Sequence, residues 1–334
     1  MKVAVFSTKS YDKEYLDKAN NNQHELTYFE ATLKPRTVKL VENFDAVCVF
    51  VNDVLSNEVI ESLANNGIKL IVLRSAGFNN VDIATAHSQG IKVLRVPEYS
   101  PSAVAEHAVA LILTLNRKTH KAYNRVREGN FSIERLTGFE LTGKTVGVIG
   151  TGRIGSVFAG IMKGFGCKII AYDKYPNDAL KAREVAYHPL DIVLKESDII
   201  SLHCPLTPET QRIINKESLG MMKKGSMLIN TSRGKLIDTE AAIDALREGQ
   251  LGYLGIDVYE QEEKLFFKDL SEIIIPDDKI SLLMSFPNVL VTSHQAYFTD
   301  NALTQIANTT IQNINDFENN SIKALNQVTM ERIS

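Results

Sequence analysis

Val146-Gly147-Val148-Ile149-Gly150-Thr151-Gly152-Arg153-Ile154-Gly155 lies near the middle of a 334-residue chain. Its apolar run ends in G-x-G-x-x-G, a helix-like stretch follows, and a second apolar run, Lys168 to Tyr172, closes on Asp173. Strand, glycine turn, helix and acid in that order form a dinucleotide-binding fingerprint. Gly150 allows the tight turn, Gly152 lets the backbone approach a pyrophosphate, and Gly155 lets helix and strand pack closely. The phosphates then meet unpaired N–H groups at the positive end of a helix. A carboxylate at Asp173 accepts from a ribose 2′-hydroxyl and repels a 2′-phosphate, which favours NAD over NADP; Lys174 follows directly and would soften that repulsion if it paired with the acid.

Working outward, about 150 residues precede this turn, enough for a separate substrate-binding part. Short β-rich runs recur there, at Val3–Phe6, Leu26–Phe29, Ala46–Phe50, Leu70–Leu73 and Val93–Val96, with helical stretches such as Asn57–Asn65 between some of them. Ser100-Pro101 opens a long helical pattern through Leu115, on which the chain is expected to cross into the second domain. Six further strands are predicted, at Thr145–Gly150, Lys168–Asp173, Asp198–His203, Met227–Ser232, Leu254–Val258 and Val289–His294. A terminal helix, about Ala302 to Asn319, would return to the first domain. The expected fold is therefore α/β, with two βα-alternating domains on parallel sheets and an active-site cleft between them. The larger is a Rossmann NAD-binding domain, residues 101–298; the substrate-binding domain takes 1–100 plus 299–334.

Composition narrows the class. With 44% hydrophobic and 23% charged residues and no low-complexity tract, the chain reads as globular rather than disordered. A net charge of −3 argues against a nucleic-acid footprint. The start, Met1-Lys2-Val3-Ala4-Val5-Phe6, is too short an apolar run for a signal peptide, and no stretch reaches the length of a membrane span. Cys48, Cys167 and Cys204 are widely spaced and read as free thiols, so a cytoplasmic location is expected. The seven histidines lack zinc-ligand spacing, and no metal is expected. G-x-S-x-G, the serine-hydrolase signature, does not occur.

Residues with chemical potential fall at the carboxyl ends of the second-domain strands, where open α/β sheets bind ligands. Arg233, in Thr231-Ser232-Arg233-Gly234, has the planar fork to grip a carboxylate and a neighbouring oxygen together; the alternative is a surface arginine paired with Asp238 or Glu240. His294 suits proton transfer to a carbonyl oxygen, or is a half-buried histidine satisfied by backbone. Glu260, Glu262 and Glu263 follow Asp257-Val258-Tyr259; one of them can orient the imidazole and stabilise its charged form, or the run is a solvated loop. His203-Cys204-Pro205 ends a strand and is expected to do no more than border the adenine. Arg74-Ser75-Ala76-Gly77-Phe78-Asn79-Asn80 offers backbone N–H groups to an anion or is simply a turn.

Taken together, these motifs resemble the D-specific 2-hydroxyacid dehydrogenase family, and within it the fermentative D-lactate dehydrogenase branch. The resemblance covers nearly the whole chain. It is carried by Ser75-Ala76-Gly77-Phe78-Asn79-Asn80-Val81-Asp82, Ala105-Glu106-His107, the glycine turn with Asp173, His203-Cys204-Pro205-Leu206-Thr207, Asn230-Thr231-Ser232-Arg233-Gly234, Asp257-Val258-Tyr259-Glu260 and His294-Gln295-Ala296. It implies NAD-dependent, reversible reduction of pyruvate to D-lactate by a homodimer or homotetramer, with no nucleic-acid or membrane partner. Arg233, Glu262 and His294 match the family's catalytic arginine, glutamate and histidine, Glu262 being selected by its place five residues after Asp257. The family's cofactor contacts map onto Gly150, Gly152, Arg153, Ile154, Gly155 and Asp173, onto His203, Cys204 and Pro205, and onto Thr231, Ser232, Arg233, Asp257 and His294. Among these, Arg153 and Ile154 would lie along the pyrophosphate and Asp257 against the nicotinamide carboxamide. The N–H groups of Ala76 and Gly77 would hold the substrate carboxylate, and Tyr99 and Tyr297 would shape its side-chain pocket.

The long segment between Glu262 and His294, with Leu265-Phe266-Phe267 and Ile273-Ile274-Ile275-Pro276, resembles the lactate branch. With 40 residues after His294, no appended regulatory domain is expected. Gln295 departs from the Thr, Ile or Val usual in the wider family, and leaves open a hydroxypyruvate, glyoxylate or branched 2-oxoacid reductase. A dehydrogenase-like NAD-sensing corepressor is the reading from another class.

Overall fold

In a computed structural model that describes residues 1–330, the chain divides into two compact units. One is Met1–Ser100 with the described chain from Phe298 onward; the other is Pro101–Tyr297. The last four residues assigned to the first domain, 331–334, lie outside the described residues.

The first unit is built on β1 (Lys2–Val5), β2 (Glu25–Tyr28), β3 (Ala46–Val49), β4 (Leu70–Leu73) and β5 (Lys92–Leu94), all parallel, in the order β2-β1-β3-β4-β5. β3 and β4 are buried along their whole length, which explains their unbroken apolar runs Ala46-Val47-Cys48-Val49 and Leu70-Ile71-Val72-Leu73. One face packs on Leu63, Ile60 and Val59 of the helix Asn57–Asn65. Leu16 of the helix Ser10–Asn20 and Ala307, Ile311 and Ile314 of the helix Asp300–Glu318 cover the other. The spacing of those last three residues puts them on one helical stripe, so the final helix has its apolar partner in this sheet.

The second unit holds β6 (Thr145–Ile149), β7 (Lys168–Tyr172), β8 (Ala186–Tyr187), β9 (Ile199–Leu202), β10 (Ser226–Asn230), β11 (Leu251–Ile256) and β12 (Val289–Val291). They form one parallel sheet in the order β12-β11-β10-β9-β6-β7-β8. The six predicted strands are present; the seventh, β8, is only two residues long, too short to show any periodicity. Strand order reverses between β6 and β9, so a crevice opens at their carboxyl ends, where Gly150 and His203 lie. The helix Pro101–Arg117 lays Leu111 and Leu115 against Gly255 of β11, where an added Cβ would run into Ile229 and crowd Leu115.

Candidate active site

The glycine turn follows β6 directly. Gly150 has a φ of 93°, a conformation that L side chains rarely adopt, and an added Cβ there would strike the His203–Cys204 peptide across the crevice. A Cβ on Gly155 would run into the carbonyl oxygen of Gly150, so helix and turn touch backbone to backbone. Gly152 is the N-cap of the helix Arg153–Gly164 and brings no side chain to the first-turn N–H groups, which suits an anion there. Arg153 is exposed on that first turn and Ile154 is half-buried. At the end of β7, Asp173 accepts hydrogen bonds from Thr151 N at 2.5 Å, Thr151 Oγ1 at 2.9 Å and Tyr175 N at 2.8 Å. These features fit a dinucleotide.

Past β9, Ser201 Oγ lies 2.9 Å from His203 Nε2, and the His203 ring stands 4.8 Å from that of Phe158. Burial pushes its pKa down to about 3, so the imidazole is neutral. Cys204 is buried and Pro205 exposed; burial also pushes the Cys204 thiol up to about 11, which keeps it protonated. The Cys204 carbonyl accepts the Ser232 hydroxyl at 2.7 Å, tying the turn after β9 to the turn after β10.

That second turn is shaped by Asn230, which is fully buried at the end of β10. Its side-chain Oδ1 accepts Ser232 N at 3.0 Å and its Nδ2 donates to Arg233 O at 2.8 Å. Thr231 is buried in the same turn. Arg233 is half-buried and donates to Ser232 O at 2.7 Å. Asp238 lies 3.5 Å from Arg212, and Glu240 lies 2.7 Å from Lys279. The surface pairing considered for Arg233 is thus taken by other residues. Gly234 is required by close approach, since a Cβ there would collide with the carbonyl of Tyr259.

The three glutamates separate cleanly. Glu260 pairs with Arg212 at 3.1 Å and accepts the Thr239 hydroxyl at 3.1 Å, whereas Glu263 is exposed. Glu262 Oε1 lies 3.0 Å from His294 Nδ1, and its Oε2 accepts Tyr259 N at 2.9 Å. The His294 ring is therefore met by a carboxylate and not by backbone. Both side chains keep about a fifth of their surface open, 19% and 22%, and Phe267 flanks the imidazole at 6.0 Å.

Asp257, expected against the nicotinamide carboxamide, is fully buried, and its carboxylate is engaged from within. Oδ1 accepts Thr292 Oγ1 at 2.5 Å and Gln295 N at 2.9 Å, and Oδ2 accepts Ala296 N at 2.8 Å. Burial pushes this carboxyl up, but hydrogen bonds from His107, Thr292, Ala296 and Gln295 outweigh it and hold the group below the usual carboxylate range. His107 Nε2 lies 3.0 Å from Thr292 Oγ1 and 3.5 Å from Asp257 Oδ1. His107 stands in the motif Ala105-Glu106-His107 without an expected role, and Thr292 stands in none of the motifs. The available signal was a histidine four residues from both Ala103 and Leu111, on the buried stripe of its helix.

In the first unit, Ser75 Oγ donates to Gly77 O at 2.8 Å and Arg95 donates to Ala76 O at 2.8 Å. The carbonyls of this loop are tied back, and among the described residues the N–H groups of Ala76 and Gly77 have no protein acceptor. Tyr99 is half-buried in this unit, and Tyr297 is buried at the end of the other. Among the described residues no cluster of His, Cys, Asp or Glu could hold a metal ion, and no helix is long and apolar enough to cross a membrane.

Residues 109–296 match the family model described as D-isomer specific 2-hydroxyacid dehydrogenase, NAD binding domain. A 2-hydroxyacid dehydrogenase A of Aspergillus oryzae is 54% identical over 95% of this chain and 92% of its own length. The D-lactate dehydrogenase of Escherichia coli is 51% identical over 95% of this chain and 97% of its own; the apo-structure of that enzyme covers 98% of this chain and all of its own with a TM-score of 0.90. A structure of the pyruvate reductase of Chlamydomonas reinhardtii reaches a TM-score of 0.91 at 48% identity, over 96% of this chain and 97% of its own.

Proposed function

The chain belongs to the D-isomer-specific 2-hydroxyacid dehydrogenase family, and on that premise we propose that it interconverts pyruvate and D-lactate with NAD as its cofactor. The observation that carries this reading is the Glu262–His294 pair at 3.0 Å, partly open to solvent, on the same sheet edge as Arg233 and the glycine turn.

NADH, when bound, supplies the hydride that the keto carbon accepts. Gly150, Gly152 and Gly155 would hold its pyrophosphate with Arg153 and Ile154 alongside, and Asp173 would take the adenosine ribose. His203, Cys204, Pro205, Thr231 and Ser232 would line the crevice. Arg233 grips the substrate carboxylate and polarises the keto oxygen through its planar fork. On the first unit, the free N–H groups of Ala76 and Gly77 suit a carboxylate, and Tyr99 and Tyr297 are assigned to the substrate's side chain. His294, protonated and held by Glu262, gives its proton to the oxygen that gains charge; for lactate oxidation it starts neutral and takes that proton back. Asp257 acts from behind, holding the loop that carries His294.

The same reading includes assembly as a homodimer or homotetramer and a cytoplasmic location. Its test is a panel of pyruvate, hydroxypyruvate, glyoxylate and a branched 2-oxoacid, followed by NADH absorbance, with chiral analysis of the product. Pyruvate is expected to turn over fastest and to yield D-lactate. A different preferred oxoacid would reassign the substrate, and no NADH consumption with any of them would end the reading.

A further inference from the structure

Asp173 does not act alone at the end of β7. The Thr151 hydroxyl that donates to it also accepts the Tyr187 hydroxyl at 3.0 Å, and the Tyr187 oxygen accepts Asn177 N at 3.0 Å. The direction of this chain follows from its ends. A main-chain N–H only donates and a carboxylate only accepts, so both hydroxyls between them pass their protons toward Asp173. Thr151 is 2% exposed, and Asn177 clamps it from the other side, its amide donating to Thr151 O at 3.3 Å and to Ser156 Oγ at 3.0 Å. Tyr187 stands on β8 in register with Ala171 of β7, so this two-residue edge strand delivers the phenol to the glycine turn.

We propose that Thr151 and Tyr187 are positioning residues that set the preference for NAD over NADP by locking the Asp173 carboxylate at the ribose site. The inference rests on the reading of Asp173 as the ribose acceptor. A carboxylate repels a 2′-phosphate only while it stays in place; one free to rotate toward solvent admits the phosphate at small cost. Here Oδ2 is held by both donors of Thr151 and Oδ1 by Tyr175 N. Lys174, the adjacent cation, stands 5.9 Å over the Tyr175 ring and forms no ion pair with Asp173 that would soften its charge. Discrimination thus depends on the hydroxyl chain as well as on the acid.

The experiment compares kcat/KM for NADH and NADPH in Thr151→Val, Thr151→Ser, Tyr187→Phe and Asp173→Ser, with kcat at saturating NADH as the control for folding. Thr151→Val and Tyr187→Phe are expected to lower the NADH/NADPH ratio about tenfold, the scale of one hydrogen bond to a charged group, through a lower KM for NADPH. Thr151→Ser keeps the hydroxyl and should keep the ratio. Adding Thr151→Val to Asp173→Ser should change the ratio little further, because both act through one carboxylate. A wild-type ratio in Thr151→Val and Tyr187→Phe, beside a lowered one in Asp173→Ser, would overturn the proposal and leave the ribose reading standing. An unmoved ratio in Asp173→Ser would remove that reading, and the proposal with it.

Discussion

The main-chain carbonyl of Asp257 accepts the N–H of His294 at 2.7 Å, while its carboxylate takes the next two N–H groups, those of Gln295 and Ala296. One buried residue therefore grips three consecutive amides. His294 needs that grip, because its φ of 54° lies in the left-handed region, which costs about 1–2 kcal/mol for an L residue. The cost is met by fixed hydrogen bonds, and the imidazole is delivered to Glu262.

Replacing His294 with Gln removes the group assigned to proton transfer and should cut turnover about 10²–10⁴-fold. Binding of NADH, followed by its fluorescence, should be largely kept. Glu262→Gln should cost less, since the imidazole remains and only its charged partner is lost. In the wild type, pyruvate reduction should weaken and lactate oxidation strengthen as pH rises, because the two directions start from opposite protonation states. Near-normal turnover in His294→Gln would remove it as the acid.

Arg233→Lys keeps the charge and loses the fork. We expect a raised pyruvate KM together with a lower kcat, the ratio kcat/KM falling about 10–100-fold, the scale of one charge-assisted hydrogen bond. Unchanged steady-state kinetics would show that the guanidinium does not touch the substrate.

Asp257→Asn tests the grip itself. The amide can accept, but its nitrogen has no use for the N–H groups it would face, so about 1–3 kcal/mol of stability should be lost at neutral pH. The pH dependence has a definite sign. The folded carboxyl is held below its ordinary value of about 3.9, so its ionised form contributes stability above that pH. That contribution is lost as pH falls through the folded value. Thermal unfolding of the variant should therefore depend less steeply on pH below about 4 than that of the wild type. Parallel curves with equal midpoints at neutral pH would show that the ionised group does not support the fold.

Much of the cofactor half was legible in the chain. Its determinants are contiguous: Gly150, Gly152 and Gly155 sit on one turn, and Asp173 closes the next strand. The choice among Glu260, Glu262 and Glu263 was not legible from spacing, and only the family resemblance separated them. Packing divides them by sending Glu260 to Arg212 and Thr239 and Glu262 to His294. β8 escaped because two residues carry no period, and the helix Asp278–Ser285 lies in the long segment between Glu262 and His294, to which no element was given. Asp277 starts that helix, accepting Lys279 N and Ile280 N, and also receives the Tyr259 hydroxyl.

Two parallel α/β sheets and a dinucleotide turn follow from the sequence itself, because apolar runs, glycines and helix starts are properties of neighbouring residues. Which carboxylate meets which imidazole, and that Asp257 faces inward to hold His294, were decided only by tertiary structure. Those contacts join strand ends far apart along the chain, and their geometry depends on how the sheet brings the ends together and on one left-handed backbone angle.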